Sequence, residues 1–333
     1  MTGPDEEDGR VVATPEYSVV IPVFMNEDFV PELLDRLEAL NRDLSGQLES
    51  VFVVDGSTDR SLELLVEGLP TKSYRSRLLV HSRNFGSFAA IRTGLSKARG
   101  SKIGVMAADM QEPPELMRQF FAALDGETDL AVGRRIGRDD PWLTSILARA
   151  FWALYRRIVW RDVPPGGVDV FACTARFADR LVAFQEANSS LVTLALWMGF
   201  ERVDVPYRRQ GRAHGGSSWG FRRKLRYLTD SVYSFTDLPI RLLVAAGTIG
   251  VVASLAVAAV VGIGRLTGSI DVPGYAATTF LISFFGALNL LGLGIVGAYV
   301  WRTFENTKGR PPAIVMSDRS FAPAVGNGKH DAL

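Results

Sequence analysis

Cysteine is almost absent from this 333-residue chain, and so is any imbalance of charge. A single thiol, Cys173, excludes an intrachain disulfide framework and any cysteine-based metal site, and it fits a chain facing the cytosol. Lys and Arg number 37 against 36 Asp and Glu, a net charge of +1, which argues against wholesale nucleic-acid binding and makes local charge placement the informative quantity. No basic flank leads into an apolar run at the start. The first residues instead carry Asp5, Glu6, Glu7 and Asp8, which excludes a secretory signal peptide and predicts a disordered tail over 1–16. No internal repeat is present. The length leaves room for one large domain or two ordinary ones.

Apolar residues are unevenly spread. Leu242 to Gly264 and Ala276 to Val300 contain no charged residue. At 1.5 Å per residue these runs reach roughly 34 and 37 Å, enough to cross a hydrocarbon core of about 30 Å. The alternative is a pair of buried core helices, unusually long against the roughly 11–12 residues of an average helix. Arg222, Arg223, Lys224, Arg226 and Arg241 precede the first run, and Arg302, Lys308 and Arg310 follow or close the second. The intervening loop, 265–275, sets only Arg265 against Asp271. The positive-inside bias therefore predicts a transmembrane hairpin over 242–300, with both termini and everything before residue 240 cytoplasmic.

From Tyr17 onward, short β-rich runs alternate with helix-compatible ones. YSVVI, SVFVVD, RLLVHS, KIGVMAAD and DLAVG read as strands, and Phe29–Leu40, Ser61–Glu67, Phe88–Ala98 and Glu115–Leu124 as helices. Regular alternation implies a largely parallel sheet with right-handed crossovers, and ligands in such sheets bind beyond the carboxyl ends of the strands. Three loops then stand out: Pro22–Asp28, Asp55–Asp59 and Asp109–Glu112. Two further segments, 143–160 and 221–235, repeat apolar residues at helical spacing beside arginines. They read as helices lying in a membrane interface or packed on the sheet domain. The tail after Pro312 shows little periodicity and is expected to end in disorder.

Chemistry concentrates in two clusters. In Asp55-Gly56-Ser57-Thr58-Asp59, Asp55 can reach the base or ribose of a nucleotide, Gly56 keeps the backbone slim, and Ser57 or Asp59 can cap the next helix. The bland reading of this stretch is a turn plus a cap. In Ala107 to Glu115, a carboxylate at the strand end, Asp109, can hold a Mg²⁺ or Mn²⁺ bridging phosphates, while Pro113 and Pro114 start a helix with Glu112 near its positive end. A helix cap is again the plainer alternative. Cys173 reads as core and His81 as structural. His214, in a glycine-rich loop, touches phosphate or water.

Taken in order, PVFMNE, VVDGSTDRS, SRNFGSFAAIRTGL, AADMQEPPE, VGRR, PPGGVDVFACTAR and GGSSWGF, ahead of two terminal apolar runs, resemble the family 2 glycosyltransferases of GT-A fold. The similarity is greatest to their polyprenyl-phosphate branch, and it spans about Tyr17 to Val315. It implies a Rossmann-like GT-A domain over 17–218, a juxtamembrane amphipathic helix over 219–241, the hairpin over 242–300, and a cytoplasmic tail over 301–333. It implies an integral membrane enzyme, in a bacterial inner or plasma membrane, that transfers a hexose with inversion from a nucleotide-sugar donor to a polyprenyl phosphate.

By position, the resemblance implies donor contacts from Pro22, Asn26, Glu27 and Asp55, from Arg83, Asn84 and Gly86, and from Gly133 and Arg134. It implies a metal, Mg²⁺ or Mn²⁺, at Asp109 and Gln111. Asp169 falls in the acceptor region, and Arg212, Ser217 and Ser218 match the loop meeting the lipid phosphate. Asp109, Asp169 and Arg212 are thereby the expected catalytic residues. Three departures are visible: Val54 precedes Asp55 where a second Asp is usual, Ala107 replaces the first metal Asp, and Trp219 stands where a Lys is common. Two apolar runs with basic flanking helices make a homo-oligomer the expectation. Two other readings compete. One is a polymerising synthase of the same fold, disfavoured by the lack of a QxxRW stretch. The other is a catalytically silent scaffold or flippase partner, motivated by Ala107.

Overall fold

The computed structural model describes residues 14–112, 114–136, 152–159, 163–164, 168, 170–184, 186, 190–208, 221–267 and 274–324. The five expected strands form as β1 (Tyr17–Val23), β2 (Leu48–Val54), β3 (Arg75–His81), β4 (Lys102–Val105) and β5 (Leu130–Arg135). Helices α1 (Val30–Asp43), α2 (Ser61–Gly68), α3 (Ser87–Leu95) and α4 (Met117–Ala122) lie between them, as the spacing predicts. Strands β6 (Phe171–Thr174), β7 (Arg202–Tyr207) and β8 (Val315–Phe321), with helices α5 (Ala175–Ala183) and α6 (Leu191–Trp197), complete the domain.

The eight strands make one sheet in the order β7-β5-β6-β4-β1-β2-β3-β8. β4, β1, β2 and β3 are mutually parallel, β5 is parallel to β7, and β6 and β8 are antiparallel to their neighbours. Alternate residues of the central strands feed two cores. Val19, Ile21, Phe52 and Leu78 pack with α1, α2 and α4, while Val20, Val51, Val53 and Leu79 pack with α3, α5 and α6. Burial on both faces explains why these strands read as continuous apolar runs. Gly94 lets α3 settle closely, because a Cβ there would stand 2.2 Å from Cγ1 of Val20.

The chain order reverses direction between β1 and β4. Loops leaving their carboxyl ends therefore diverge and open a crevice. Pro22 reinforces the opening. Val20 presents its carbonyl to Met106 on the β4 side, so by alternation the missing N–H of Pro22 faces that same side, beyond the last β1–β4 pair, Val20–Val105.

The segment at 152–159 and helix α7 (Phe221–Phe235) pack against each other: Tyr155, Val159 and Val163 are buried beneath Leu228, Val232 and Phe235. The Tyr155 hydroxyl joins Thr193 at 2.8 Å and donates to Ser231 at 3.0 Å. From Leu228 onward the apolar face of α7 thus covers the domain, the second of the two packing arrangements its periodicity allowed. Residues 143–151 lie outside the described residues.

Two long helices follow, α8 (Leu238–Leu266) and α9 (Tyr275–Thr307). They extend beyond the uncharged runs at both ends. Their apolar windows, Leu238–Val257 and Phe284–Thr307, have mean hydropathies of 2.1 and 1.7 and almost no burial. Leu255 and Leu290 are among the exposed side chains. At 29 and 33 residues the helices measure about 43 and 50 Å. Gly250 faces the Phe285 ring and Gly292 faces Leu243, small residues that let the two helices approach.

The chain then returns. Residues 315–321, in the tail that shows little periodicity and is expected to end in disorder, form β8 against β3, from His81–Val315 to Ser76–Phe321. Arg77 donates two hydrogen bonds to Asp318, at 2.8 and 2.7 Å. The strand is legible only through its partner, since its own faces are mostly exposed and lack apolar alternation.

Candidate active site

The loops after β1, β2 and β3 are knitted into one body. Met25 donates its N–H to Ser57 Oγ at 2.8 Å, Asn26 to Ser61 Oγ at 3.0 Å, and Glu27 to Asp59 Oδ2 at 3.0 Å. Glu27 in turn accepts the Arg60 N–H at 2.9 Å, just ahead of α2, and Asp59 accepts from the Ser57 and Ser61 hydroxyls at 2.5 and 2.8 Å. Burial would raise the Asp59 carboxyl, but these hydroxyls and the Glu27 and Ser61 amides outweigh it and hold it below its ordinary value. Arg60, not Asp59 or Ser57, is the N-cap of α2 and has no side-chain cap, but Asp59 accepts the amide of the first helical residue, Ser61, at 3.2 Å, and Ser57 and Ser61 join it in a network between loops.

Asp55 sits at the centre. Only 2 % exposed, it accepts the Phe85 and Gly86 amides at 2.8 and 2.7 Å, and His81 Nδ1 lies 2.8 Å from its Oδ1. Burial pushes this carboxyl up. The hydrogen bonds from His81, Phe85 and Gly86 prevail and keep it below the usual range. Asp55 thereby fixes the path of the loop 82–86. Arg83 and Asn84 project from that loop, exposed, with the Arg83 guanidinium 4.0 Å above the Phe85 ring. Gly56, at φ +64°, presses its backbone onto Arg83 and Asn84.

Across the crevice, β4 delivers Asp109, Met110 and Gln111. Met110 adopts φ +57°, and Met25 beyond β1 adopts φ +56°. Left-handed backbone at a non-glycine residue is costly and concentrates at functional sites. Here it occurs on both walls of the crevice, although Ser45, remote from it, shares the conformation. The Gln111 N–H donates to Asp109 Oδ1 at 3.3 Å. Gln111 Oε1, on a residue 8 % exposed, finds no hydrogen-bond partner among the described residues. A buried amide oxygen left over on a residue whose backbone N–H meets a carboxylate is a donor set that suits a hard divalent cation. Among the described residues, no group of three or more His, Cys, Asp or Glu stands together to cage one. The fit is to an ion completed by ligands from a bound molecule.

Arg134 lies on the same edge. Val105, Phe171 and Val132 are level across β4, β6 and β5, and Arg134 stands two residues past Val132, exposed. Gly133 serves packing, since a Cβ there would meet Val170 and Tyr207. Pro22, Asn26, Glu27, Asp55, Arg83, Asn84 and Gly86 are thus gathered at the ends of β1–β3, with Asp109 and Gln111 beside them at β4. Asp169, Arg212, His214, Ser217 and Ser218 lie outside the described residues. Cys173 is buried in the core, and burial pushes its thiol up, as expected of a structural residue. His81 and Thr93 complete the Asp55 network. Residue type alone hid them; the position of His81 one residue before SRNFG was the available signal.

A family model described as "Glycosyl transferase family 2" matches residues 18–182. An uncharacterized glycosyltransferase of Synechocystis sp., sll0501, is 30% identical over 304 residues, covering 91% of this chain and 95% of the relative. The provisionally named glycosyltransferase CsbB of Bacillus subtilis is 30% identical over 299 residues, 90% of each chain. Among solved structures, glucosyl-3-phosphoglycerate synthase of Mycobacterium tuberculosis, in complex with Mn²⁺, UDP-glucose and glycerol 3-phosphate, aligns at 17% identity. The alignment covers 66% of this chain and 77% of that one, with a TM-score of 0.45. The mannosyltransferase PcManGT of Pyrobaculum calidifontis, in complex with GDP-Man and Mn²⁺, aligns at 18% identity over 84% and 88%, with a TM-score of 0.42. The α/β domain, GT-A-like with a mostly parallel sheet, is a glycosyltransferase domain. The chain belongs to glycosyltransferase family 2.

Proposed function

We propose that the chain transfers a hexose, with inversion, from a nucleotide-diphosphate sugar to a polyprenyl phosphate at the cytoplasmic face of a membrane. One observation carries the choice of a lipid acceptor. Ser82, which opens the loop bearing Arg83 and Asn84, donates its N–H to the carbonyl of Ile314 at 3.0 Å, seven residues after the apolar hairpin ends at Thr307. The hairpin begins and ends on one domain, so a membrane it crosses is crossed twice, and it returns at the sheet edge that holds the site. A sugar held over that edge lies on the hairpin's side, within reach of a phosphate at a membrane surface. The basic residues flanking both helices agree with that orientation.

The chemistry asks little of a base. A phosphate monoester has its second pKa near 6 and is largely anionic at neutral pH. One of its oxygens attacks the anomeric carbon as the bond to the diphosphate breaks, and the electron pair leaves with the nucleoside diphosphate. Charge developing on that leaving group is the main barrier. Asp109 and Gln111 would hold a Mg²⁺ or Mn²⁺, which supplies charge neutralisation at the diphosphate. Asn26, Glu27, Arg83, Asn84 and Arg134 line or border the donor crevice. Arg212, Ser217 and Ser218 hold the acceptor phosphate in this reading, and Asp169 orients acceptor or sugar. A membrane-inserted homo-oligomer is part of the same proposal.

The test is stereochemical. Lipid-linked product from an α-configured donor should carry a β-linked sugar, and Asp169→Asn should slow its formation. A retained configuration would overturn the single displacement, and near-wild-type turnover in Asp169→Asn would remove Asp169 from it.

A further inference from the structure

Among the described residues the Asp55 carboxylate receives three hydrogen bonds, and only one of them comes from a side chain. That donor is His81, itself 1 % exposed. Both imidazole nitrogens are engaged: Nδ1 with Asp55 Oδ1 at 2.8 Å and Nε2 with Thr93 Oγ1 at 3.0 Å. An ionised carboxylate only accepts, so Nδ1 carries the proton, and Nε2 shares the second hydrogen bond with the Thr93 hydroxyl, which can donate or accept. Thr93 belongs to α3, and the amides that Asp55 holds are those of Phe85 and of Gly86, the residue that caps α3. His81 thus closes a buried circuit from the end of β3 to α3 and back to the loop between them. The Phe85 ring stands edge-on to the imidazole with centroids 5.6 Å apart, so the ring also sets the inner wall of that loop.

We propose that His81 is a positioning residue of the donor site: through Asp55 it fixes the loop 82–86, and with it the Arg83 and Asn84 that meet the donor. This rests on the donor-site reading above. Without the Nδ1–H donor, Asp55 would keep its two amides but lose the side-chain partner that fixes its rotamer. A buried carboxylate short of a donor rotates or takes in water, and the amides it orients move with it. The residue touches no substrate and transfers no proton. Its effect belongs in donor affinity, not in the acceptor or in the chemical step.

The experiment uses the full chain in detergent, titrated calorimetrically with UDP and with GDP, each with Mg²⁺. Three proteins are compared: wild type, His81→Phe, which keeps a ring but neither hydrogen bond, and His81→Asn, whose amide can replace the Nδ1 donor. Wild type should bind one nucleotide, His81→Phe should bind it about tenfold more weakly, and His81→Asn should recover most of the loss. In turnover, the donor KM should rise in His81→Phe with the acceptor KM unchanged. Exchange of the Phe85 and Gly86 amides should quicken in step. If His81→Phe does not fold, Thr93→Val removes the outer hydrogen bond alone and should give the same changes in smaller degree. Unchanged affinity and unchanged amide exchange in the folded variant would overturn the proposal. A wild type that binds neither nucleotide would instead overturn the donor-site reading, and this proposal with it.

Discussion

Gly56 and Asn84 lie so close that a Cβ on residue 56 would stand 2.3 Å from the Asn84 backbone nitrogen, and 2.5 Å from the Arg83 carbonyl carbon. Both obstacles are backbone, and Gly56 is at φ +64°, so neither a rotamer change nor a relaxed dihedral relieves a side chain there. Gly56→Ala should cost about 2 kcal/mol or more of stability and displace the 82–86 loop. Thermal unfolding and nucleotide binding should fall together. A variant as stable as wild type with normal binding would contradict this packing of the two loops.

Gln111 separates function from stability in the opposite sense. Its buried Oε1 has no hydrogen-bond partner among the described residues, a cost the folded chain carries. Gln111→Met keeps the volume and removes the orphan oxygen, so stability should be unchanged or slightly raised, by up to about 1 kcal/mol. If that oxygen serves a divalent ion, the Mg²⁺ concentration giving half-maximal turnover should rise several-fold. Asp109→Ala, which removes the carboxylate two residues earlier, should lower turnover by about 10²-fold or more. Turnover in Gln111→Met with the wild-type Mg²⁺ response would exclude Gln111 from the metal site.

The Arg77–Asp318 pair gives a pH signature for the returning strand. Hydrogen bonds from Arg77 hold the Asp318 carboxyl below its ordinary value. A folded value below the unfolded one means that the pair's contribution is complete above the unfolded carboxylate range, about pH 4, and is lost as pH falls through the folded value. The pair is partly exposed, so its worth is on the order of 0.5–1 kcal/mol. Asp318→Asn should therefore melt below wild type at pH 7, and the two curves should converge in acid. A gap independent of pH would mean that the ion pair does not hold β8.

Cys173 supplies a negative prediction. It is fully buried between β4 and β5, and nothing in the proposed chemistry uses it. Cys173→Ser should cost about 1–3 kcal/mol through a hydroxyl buried among apolar neighbours, while kcat at a temperature where the variant is folded stays at the wild-type value. Loss of kcat without loss of stability would require a role for the thiol.

The five strands buried on both faces were legible because each is a compact apolar run, as in Val19 to Val23 and Val51 to Val54. Their order also located the crevice, since Asp55 directly follows β2 and Asp109 lies four residues past the end of β4. β8 was not legible: Val315 to Phe321 carries Asp318 and Arg319 and owes its strand form to the open edge of β3. The site was legible in location more than in role. Asp55 was expected to face a nucleotide, whereas the structure buries it as the anchor of the 82–86 loop. That difference depends on His81 and on the Phe85 and Gly86 amides, partners about thirty residues away that no local pattern reveals. The α7 helix showed its amphipathic period plainly, but only the burial of Tyr155 beneath Leu228 and Val232 showed what the apolar face covers.

The most direct measurement is transfer of label from a panel of radiolabelled nucleotide sugars, UDP-hexoses and GDP-mannose, to undecaprenyl phosphate by the purified chain in detergent, with and without EDTA. Label from one donor should pass into the organic extract, fall with EDTA and return on adding Mg²⁺ or Mn²⁺. Binding of that donor without any label entering the organic phase would contradict the lipid acceptor.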